Sequence, residues 1–449
     1  MSRKKKYELK NFAILFLFIV AIYQTGTLWL ENYSGHNFFY YITSWDTSSW
    51  RSDAPKKPID AEFITVGYGN KMYSVFYGSE GEEIKTSCDE IIKQSLKEDN
   101  MTAVDNVSIT DLLEQRSIVY TMVYESLLAE YIDSWGISPD EKELGTAAFD
   151  TVVVLPWSGI NGESRVLFVN SSSSSAVEYK VNTQKGETMY SDIDSIARRN
   201  SSMQYISTAQ NGFNIFSRNV FVPQWSQSVL QYSPVVKKEI FDIDDEGDML
   251  SRMDVFFGSY YGQTSDVDAG GVYTLSDDYT VVKYYPDGIM EYYSYKSQDS
   301  NQSQNLYSAY NACMEFLAKD TNINTEYYIS GVQIKNSSID FYFDYCVDNM
   351  PVVSDSPLMS HAIEVSIKDN VVRKYRRYAY DFEVDKSTVL EGDVDFLGAV
   401  NESVSKSGNT AAVFENIFLG YAEGENENFV LKWFTVIDGN VYETDLKQK

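Results

Sequence analysis

One segment divides this chain in two. Arg3, Lys4, Lys5 and Lys6 lead into Phe12–Tyr23 (FAILFLFIVAIY), and Gln24–Leu30 (QTGTLWL) continues the apolar run. As a helix rising about 1.5 Å per residue, Phe12–Leu30 spans roughly 28 Å, just enough to cross a bilayer core. No Lys or Arg follows Lys10 until Arg51, so the basic end is expected in the cytoplasm and the remainder outside. A cleaved signal peptide is the competing reading, because the strictly apolar core is short enough for an h-region. Against it, no A-x-A site follows, and Leu28-Trp29-Leu30 resumes the apolar run. We therefore read an uncleaved single-pass anchor. Gln24, Thr25, Gly26 and Thr27 place polar groups and a small residue inside the span, where they suit contact with a neighbouring membrane helix. The alternative is that they mark the frayed outer end of the helix.

The rest of the chain is strongly acidic. The net charge is −28, and the tail Met1–Lys10 contributes +4, leaving −32 beyond it. Such a surface repels nucleic acid, whose binding requires neutralised phosphates. The chain nevertheless has the material for a core, with 43% apolar and 15% aromatic residues. Thirty-five tyrosines with many Val and Ile favour sheet over helix. Three cysteines, Cys88, Cys313 and Cys346, do not make a disulfide framework. Cys88 and Cys313 fall on apolar helix faces and are expected as buried thiols. Spacing leaves a Cys313–Cys346 bridge open.

The fold class expected is α+β: an N-terminal transmembrane helix carrying a multi-domain extracytoplasmic region of antiparallel sheets packed by helices. Residues 1–10 form the basic tail, 11–30 the span and 31–58 a juxtamembrane linker. A first α+β domain covers 59–235. It has strands at Ala61–Tyr68 and Lys71–Tyr77, a helix at about 82–98, further strands at Ser117–Tyr124, Asp150–Pro156, Ser164–Asn170 and Ala176–Asn182, and a second helix at about 190–200. Beyond it the element order repeats. Val272–Tyr295 is a hairpin turning at Pro286-Asp287-Gly288, Asn305–Lys319 an amphipathic helix, and Tyr327–Val347 a second hairpin. His361–Tyr380, a helix near 393–406 and Asn416–Val436 follow the same plan. Two tandem β-β-α-β-β units, 236–355 and 356–449, account for this, each laying a helix on a small antiparallel sheet.

No catalytic set is visible. His36 and His361 are the two histidines, and no G-x-S-x-G elbow accompanies either. His361 is expected at a strand end with a structural partner. No Walker A, G-x-G-x-x-G or His/Cys zinc pattern occurs, so neither cofactor nor metal is expected. Asp242, Asp244 and Glu246 resemble the opening of a calcium loop, but Met253 stands where the bidentate Glu belongs. An acidic loop is the plainer reading. Arg373, Lys374, Arg376 and Arg377 form a basic cluster on a strand, with alternation dividing them between its faces. They suit internal pairing with the chain's acids, or a docking patch for an acidic partner.

Residues 281–293 (VVKYYPDGIMEYY), 341–353 (FYFDYCVDNMPVV) and 361–377 (HAIEVSIKDNVVRKYRR), with Asp254–Gly258 (DVFFG) and the basic tail before a single span, resemble the YycH family. The likeness is clearest over about 250–385 and weaker over 59–235. The resemblance implies an accessory protein rather than an enzyme. Its expected partners are a WalK-like cell-wall sensor histidine kinase, contacted partly through membrane helices, and a YycI-like protein. The family offers no active-site residues to transfer. A binding module for wall polymer or peptide is the alternative function, and an envelope hydrolase a third.

Overall fold

The computed structural model describes residues 57–98, 100–138, 146–158, 162–199, 203–224, 229–242, 245–257, 262–296, 305–335, 337–354, 358–409, 412–424 and 428–448. The basic tail, the apolar segment Phe12–Leu30 and the linker to Lys56 lie outside them. Among the described residues, no helix is long and apolar enough to cross a membrane. The architecture is mixed α+β, with two large sheets that are antiparallel almost throughout and seven α-helices among the described residues.

The first sheet holds β1 (Phe63–Tyr68), β2 (Tyr73–Phe76), β3 (Met101–Asp105), β4 (Arg116–Leu127), β5 (Ala148–Ser158), β6 (Glu163–Asn170), β7 (Ser175–Val181), β8 (Tyr205–Ser207) and β9 (Phe221–Pro223). Their order is β3-β7-β6-β5-β4-β1-β2-β8-β9. Helices α1 (Glu82–Glu98), α2 (Ile109–Leu112), α3 (Leu128–Ser134) and α4 (Gln184–Arg199) accompany it. Ile84, Cys88, Ile91, Ile92 and Leu96 make the buried stripe of α1, the spacing of one helical face. With α4 it covers one face of the sheet, where the Tyr120 hydroxyl donates to Lys85 O at 3.1 Å. Helix α4 starts at Gln184, six residues before the expected start. Gly186 lies in the first turn, where a Cβ would overlap Ser164 Oγ and the Pro156 carbonyl. A glycine placed for close approach looks in sequence like one placed for a turn.

Short strand β10 (Leu230–Tyr232) leads to the second sheet. This contains β11 (Val235–Glu239), β12 (Thr264–Val267), β13 (Tyr273–Ser276), β14 (Thr280–Tyr284), β15 (Ile289–Ser294), β16 (Tyr327–Ile334), β17 (Ile339–Val347), β18 (Met350–Val352), β19 (Ile363–Lys368), β20 (Val371–Tyr378), β21 (Tyr380–Val384), β23 (Phe414–Glu423), β24 (Asn428–Ile437) and β25 (Asn440–Asp445). The remaining β22 (Leu390–Asp393) and β26 (Lys447–Gln448) form a three-stranded sheet with β10. Helices α5 (Glu246–Met253), α6 (Leu306–Leu317) and α7 (Phe396–Ser407) complete the set. Asn305 and Ser308 cap α6 reciprocally, and α7 ends on Gly408 at φ +66°.

The hairpin–helix–hairpin order occurs twice, with α6 and α7 in the expected places. The pairing does not keep the two copies apart. Hairpin β19–β20 inserts between the two hairpins of the first copy, giving β14-β15-β20-β19-β17-β16, and α6 lies on β17, β19 and β20. Strands from both sides of residue 355 therefore share one sheet. Sequence order records hairpins, which are local, but not which hairpin edges meet.

At the centre of this sheet lies a buried ion pair. Arg377 on β20 and Asp320 after α6 have no exposed side-chain surface, and Arg377 Nε stands 2.9 Å from Asp320 Oδ2. The Tyr375 hydroxyl donates to Asp320 at 2.7 Å, and Asn322 donates to it through both its backbone and side-chain nitrogens at 3.2 Å. Burial opposes the Arg377 charge, but Asp320 together with Tyr375 and Tyr345 outweighs it and holds the guanidinium protonated. Breaking such a pair leaves a buried charge uncompensated. We expect Arg377→Met to lose about 3–5 kcal/mol in urea denaturation. Lys374→Met, on the other strand face, should lose under about 1 kcal/mol.

Candidate functional site

The two sheets meet along a seam of polar clamps. At its base, β2 ends beside the turn Asp348-Asn349, whose two residues both have positive φ. Asn349 accepts from Tyr77 N through Oδ1 and donates to Val75 O through Nδ2, each at 2.7 Å. The amide thus serves the end of β2, beyond its pairing with β8 at Tyr73, as a neighbouring strand would. Next to it, Glu326 accepts from Ser79 N at the start of the one-turn helix Gly78–Gly81. Gly78 sits at φ +53°, and a Cβ there would overlap the Glu326 carboxylate. On the helical side, Asp60 bridges Lys85 of α1 at 2.7 Å and the Tyr310 hydroxyl of α6 at 2.8 Å. The Tyr77 and Tyr328 rings meet edge-on at 5.0 Å.

These clamps enclose a cavity of ≈ 460 Å³. Its charged lining is Asp60, Glu62, Glu82, Lys85 and Glu326, four acids against one base, set among tyrosines and phenylalanines. Burial works against the Lys85 charge, yet Asp60 keeps its pKa above the usual lysine value. Glu62, at the head of β1, differs. Its carboxylate has no hydrogen bond or ion pair among the described residues. Burial raises its pKa to about 7, Arg218 opposes the rise and Asp344 adds to it. Glu62 therefore changes charge near neutrality on the seam.

Asp344, across the seam on β17, holds the second titrating group. His361 Nδ1 lies 3.0 Å from Asp344 Oδ2, and Asp344 Oδ1 accepts from Ala362 N at 2.9 Å. Ser330 Oγ approaches the same nitrogen at 3.1 Å, and the Tyr342 ring stacks on the imidazole at 4.7 Å. Burial disfavours the imidazolium, but Asp344 and Glu364 outweigh it and raise the His361 pKa. Serine and carboxylate both converge on Nδ1. A Ser–His–Asp relay needs them on opposite ring nitrogens, so this trio is a structural bracket for the start of β19.

The other residues singled out in sequence are placed as follows. Gln24, Thr25, Gly26, Thr27, Arg3, Lys4, Lys5, Lys6 and Asp244 lie outside the described residues. The acidic run opens α5 rather than a free loop. Asp245 caps the helix by accepting from Gly247 N and Asp248 N, Glu246 occupies its first turn, and Asp248 pairs with Arg252 at 2.8 Å. Asp242 N is bound to Asp248 Oδ2 at 3.3 Å. Among the described residues, no group of three or more His, Cys, Asp or Glu is placed to hold a metal ion. In the basic cluster, Arg377 is buried and Arg376 pairs with Glu291 at 2.8 Å and Glu364 at 3.4 Å. Arg373 donates to Lys296 O, and Lys374 lies 5.8 Å over the Tyr293 ring. All three cysteines are buried free thiols. Sequence reasoning missed Glu62, Glu326 and Asp344, for the contacts that bring Glu326 to Ser79 and Asp344 to Glu62 join residues far apart in the chain. Asn349 alone left a signal, as half of a left-handed turn pair.

No family model matches the chain, and no curated protein matches its sequence. Among solved structures, YycH from Bacillus subtilis aligns with a TM-score of 0.56 at 12% identity, over 87% of this chain and 97% of that one. The fold is YycH-like. Two further structures align with lower scores. An uncharacterized protein from Eubacterium rectale has a TM-score of 0.33 at 10% identity, over 51% of this chain and 86% of its own. The C-terminal domain of Bacillus megaterium YpeB has 0.23 at 11%, over 47% and 98%. Neither score supports an argument beyond itself.

Two tests address the seam of this YycH-like fold. Gly78→Ala combines left-handed backbone strain with displacement of Glu326 and should cost about 1–3 kcal/mol in urea denaturation. The second test is pH. Glu62 has a raised folded pKa, so the native state holds its proton longer than the unfolded chain and stability falls as pH climbs from about 5 to 8. Glu62→Gln should match wild type near pH 5 and exceed it at pH 8. His361 also has a raised folded pKa, so its contribution is complete below the unfolded value and disappears as pH rises through the folded one. His361→Gln should be less stable than wild type at pH 5.5, with the gap closing in alkaline buffer.

Proposed function

We propose that this chain is a membrane-anchored accessory protein that regulates a sensor histidine kinase of the WalK type. It acts as a regulator rather than an enzyme, with its basic tail in the cytoplasm and both sheets outside. The observation that carries the reading is the YycH-like fold, which extends over nearly the whole chain behind an N-terminal basic and apolar segment. The chemistry of the seam agrees: its polar groups clamp one sheet to the other, and its one histidine bracket lacks relay geometry. A YycI-like protein is the expected second partner.

The mechanism proposed is a biased equilibrium. Gln24, Thr25, Gly26 and Thr27 contact a kinase helix in the bilayer, and the exterior sheets contact its outer domain. Together they favour one kinase conformation. A coupling of about 1–3 kcal/mol changes its population roughly 5- to 150-fold. Full-length protein with a C-terminal tag, solubilised in detergent, should co-purify a histidine kinase. A version with Phe12–Leu30 replaced by a generic leucine span should lose the kinase and its regulation. Recovery with both versions assigns the contact to the exterior sheets, and recovery with neither removes the kinase reading.

A further inference from the structure

Helices α1 and α4 cover one face of the first sheet. On the opposite face, the segment between β8 and β9 arches over the strands and leaves a groove of ≈ 580 Å³, within the range of small-ligand sites. Its floor is the outward side of β4, β5 and β6: Val119, Thr121, Thr151 and Val169, with Thr121 and Thr151 paired directly across β4 and β5. The arch is fixed in shape. Asn219 Oδ1 accepts from Ser207 Oγ at 2.7 Å and Ala209 N at 3.1 Å. Phe213 and Phe216 in its wall are braced by the Phe396 ring at 5.4 and 6.3 Å.

The groove departs from the rest of the molecule in charge. The inter-sheet cavity has four acids against one base, whereas the charged residues lining this groove are Asp150 and Arg218, which balance. Both are engaged: Asp150 accepts from Ser171 Oγ at 2.8 Å and Thr151 Oγ1 at 3.0 Å, and Arg218 Nε donates to Glu415 O at 3.3 Å. The remaining polar lining is hydroxyl and amide, including the exposed Ser172 and Asn214 at the rim.

We propose that this groove binds an uncharged oligosaccharide. A sugar ring has an apolar C–H face and a hydroxyl edge. It therefore matches a groove that sets two phenylalanines in its wall over a floor of valine and threonine, rimmed by groups that both donate and accept. An extended peptide is the poorer fit. Strands β4, β5 and β6 are each paired on both sides, so a peptide backbone lying on the floor finds no free strand edge there. The balanced charge offers no net attraction to an ionic ligand.

The test is calorimetric titration of the full-length protein in detergent with tetra-N-acetylchitotetraose, with acetylated tetra-alanine amide as the peptide probe. We expect saturable binding of the saccharide. Ser172→Trp and Asn214→Trp, which place an indole at the mouth from exposed positions, should each weaken it at least tenfold without moving the thermal midpoint. Glu80→Gln, in the one-turn helix Gly78–Gly81 and outside the groove lining, should leave it unchanged. Absence of saturable saccharide binding, wild-type affinity in both tryptophan variants, or preferential binding of the peptide would overturn the proposal. This test needs no kinase and the co-purification needs no saccharide, so the two readings fail separately.

Discussion

The Arg377–Asp320 pair is the constraint around which the second sheet is arranged. Arg377 reaches the interior because β20 is a central strand, flanked by β15 and β19, so one of its faces must be core. A guanidinium there is tolerable only with a carboxylate brought to it, and Asp320 is delivered by the tight turn that ends α6. That requirement fixes where α6 stops and how it lies across β19 and β20. Tyr375 and Asn322 satisfy the same carboxylate, and the Phe241 ring lies 5.9 Å from the guanidinium. A long helix, a central strand and the approach to α5 are thereby tied to one charge pair.

The seam between the sheets uses a different principle. Its clamps are short polar residues at turns and strand ends, and each completes hydrogen bonding that a neighbouring element left open. Asn349 serves the edge of β2, Glu326 the start of a one-turn helix, and Asp60 joins a lysine on one side to a tyrosine on the other. The seam is consequently acidic, and among the described residues the Glu62 carboxylate has no hydrogen bond or ion pair. A carboxylate near half-ionisation at neutral pH, whose pKa a histidine-bound aspartate raises further, makes this junction responsive to proton concentration.

Acidity is unevenly distributed, and this separates the two cavities by chemistry. Four carboxylates gather at the seam, while the open face of the first sheet carries hydroxyls and amides around a balanced pair. The difference follows from what each surface packs against. The seam's charges are held by lysine, tyrosine and backbone N–H groups, whereas the open face is roofed by a segment whose phenylalanines need an apolar support, which Phe396 supplies.

The sequence by itself determined the local elements. The apolar face of Ile84, Cys88, Ile91 and Ile92 marked a helix at about 82–98, where α1 lies, the turn residues Asp348-Asn349 and Asp369-Asn370 marked two hairpin ends, and the recurrence of hairpin, helix and hairpin was legible in order. These features depend on contacts within a few residues, and periodicity records them. It failed at Gly186, where close packing rather than chain reversal requires glycine, and at the acidic run, where Asp245 caps a helix instead of lining a loop. Only the tertiary structure decided that the second hairpin of one copy and the first of the next share a sheet. It alone decided that Arg377 is core while Arg376 is paired beside it, and that Glu62 and Asp344 confront each other. Those outcomes rest on which strand edges and buried charges meet across hundreds of residues, and no local pattern encodes that choice.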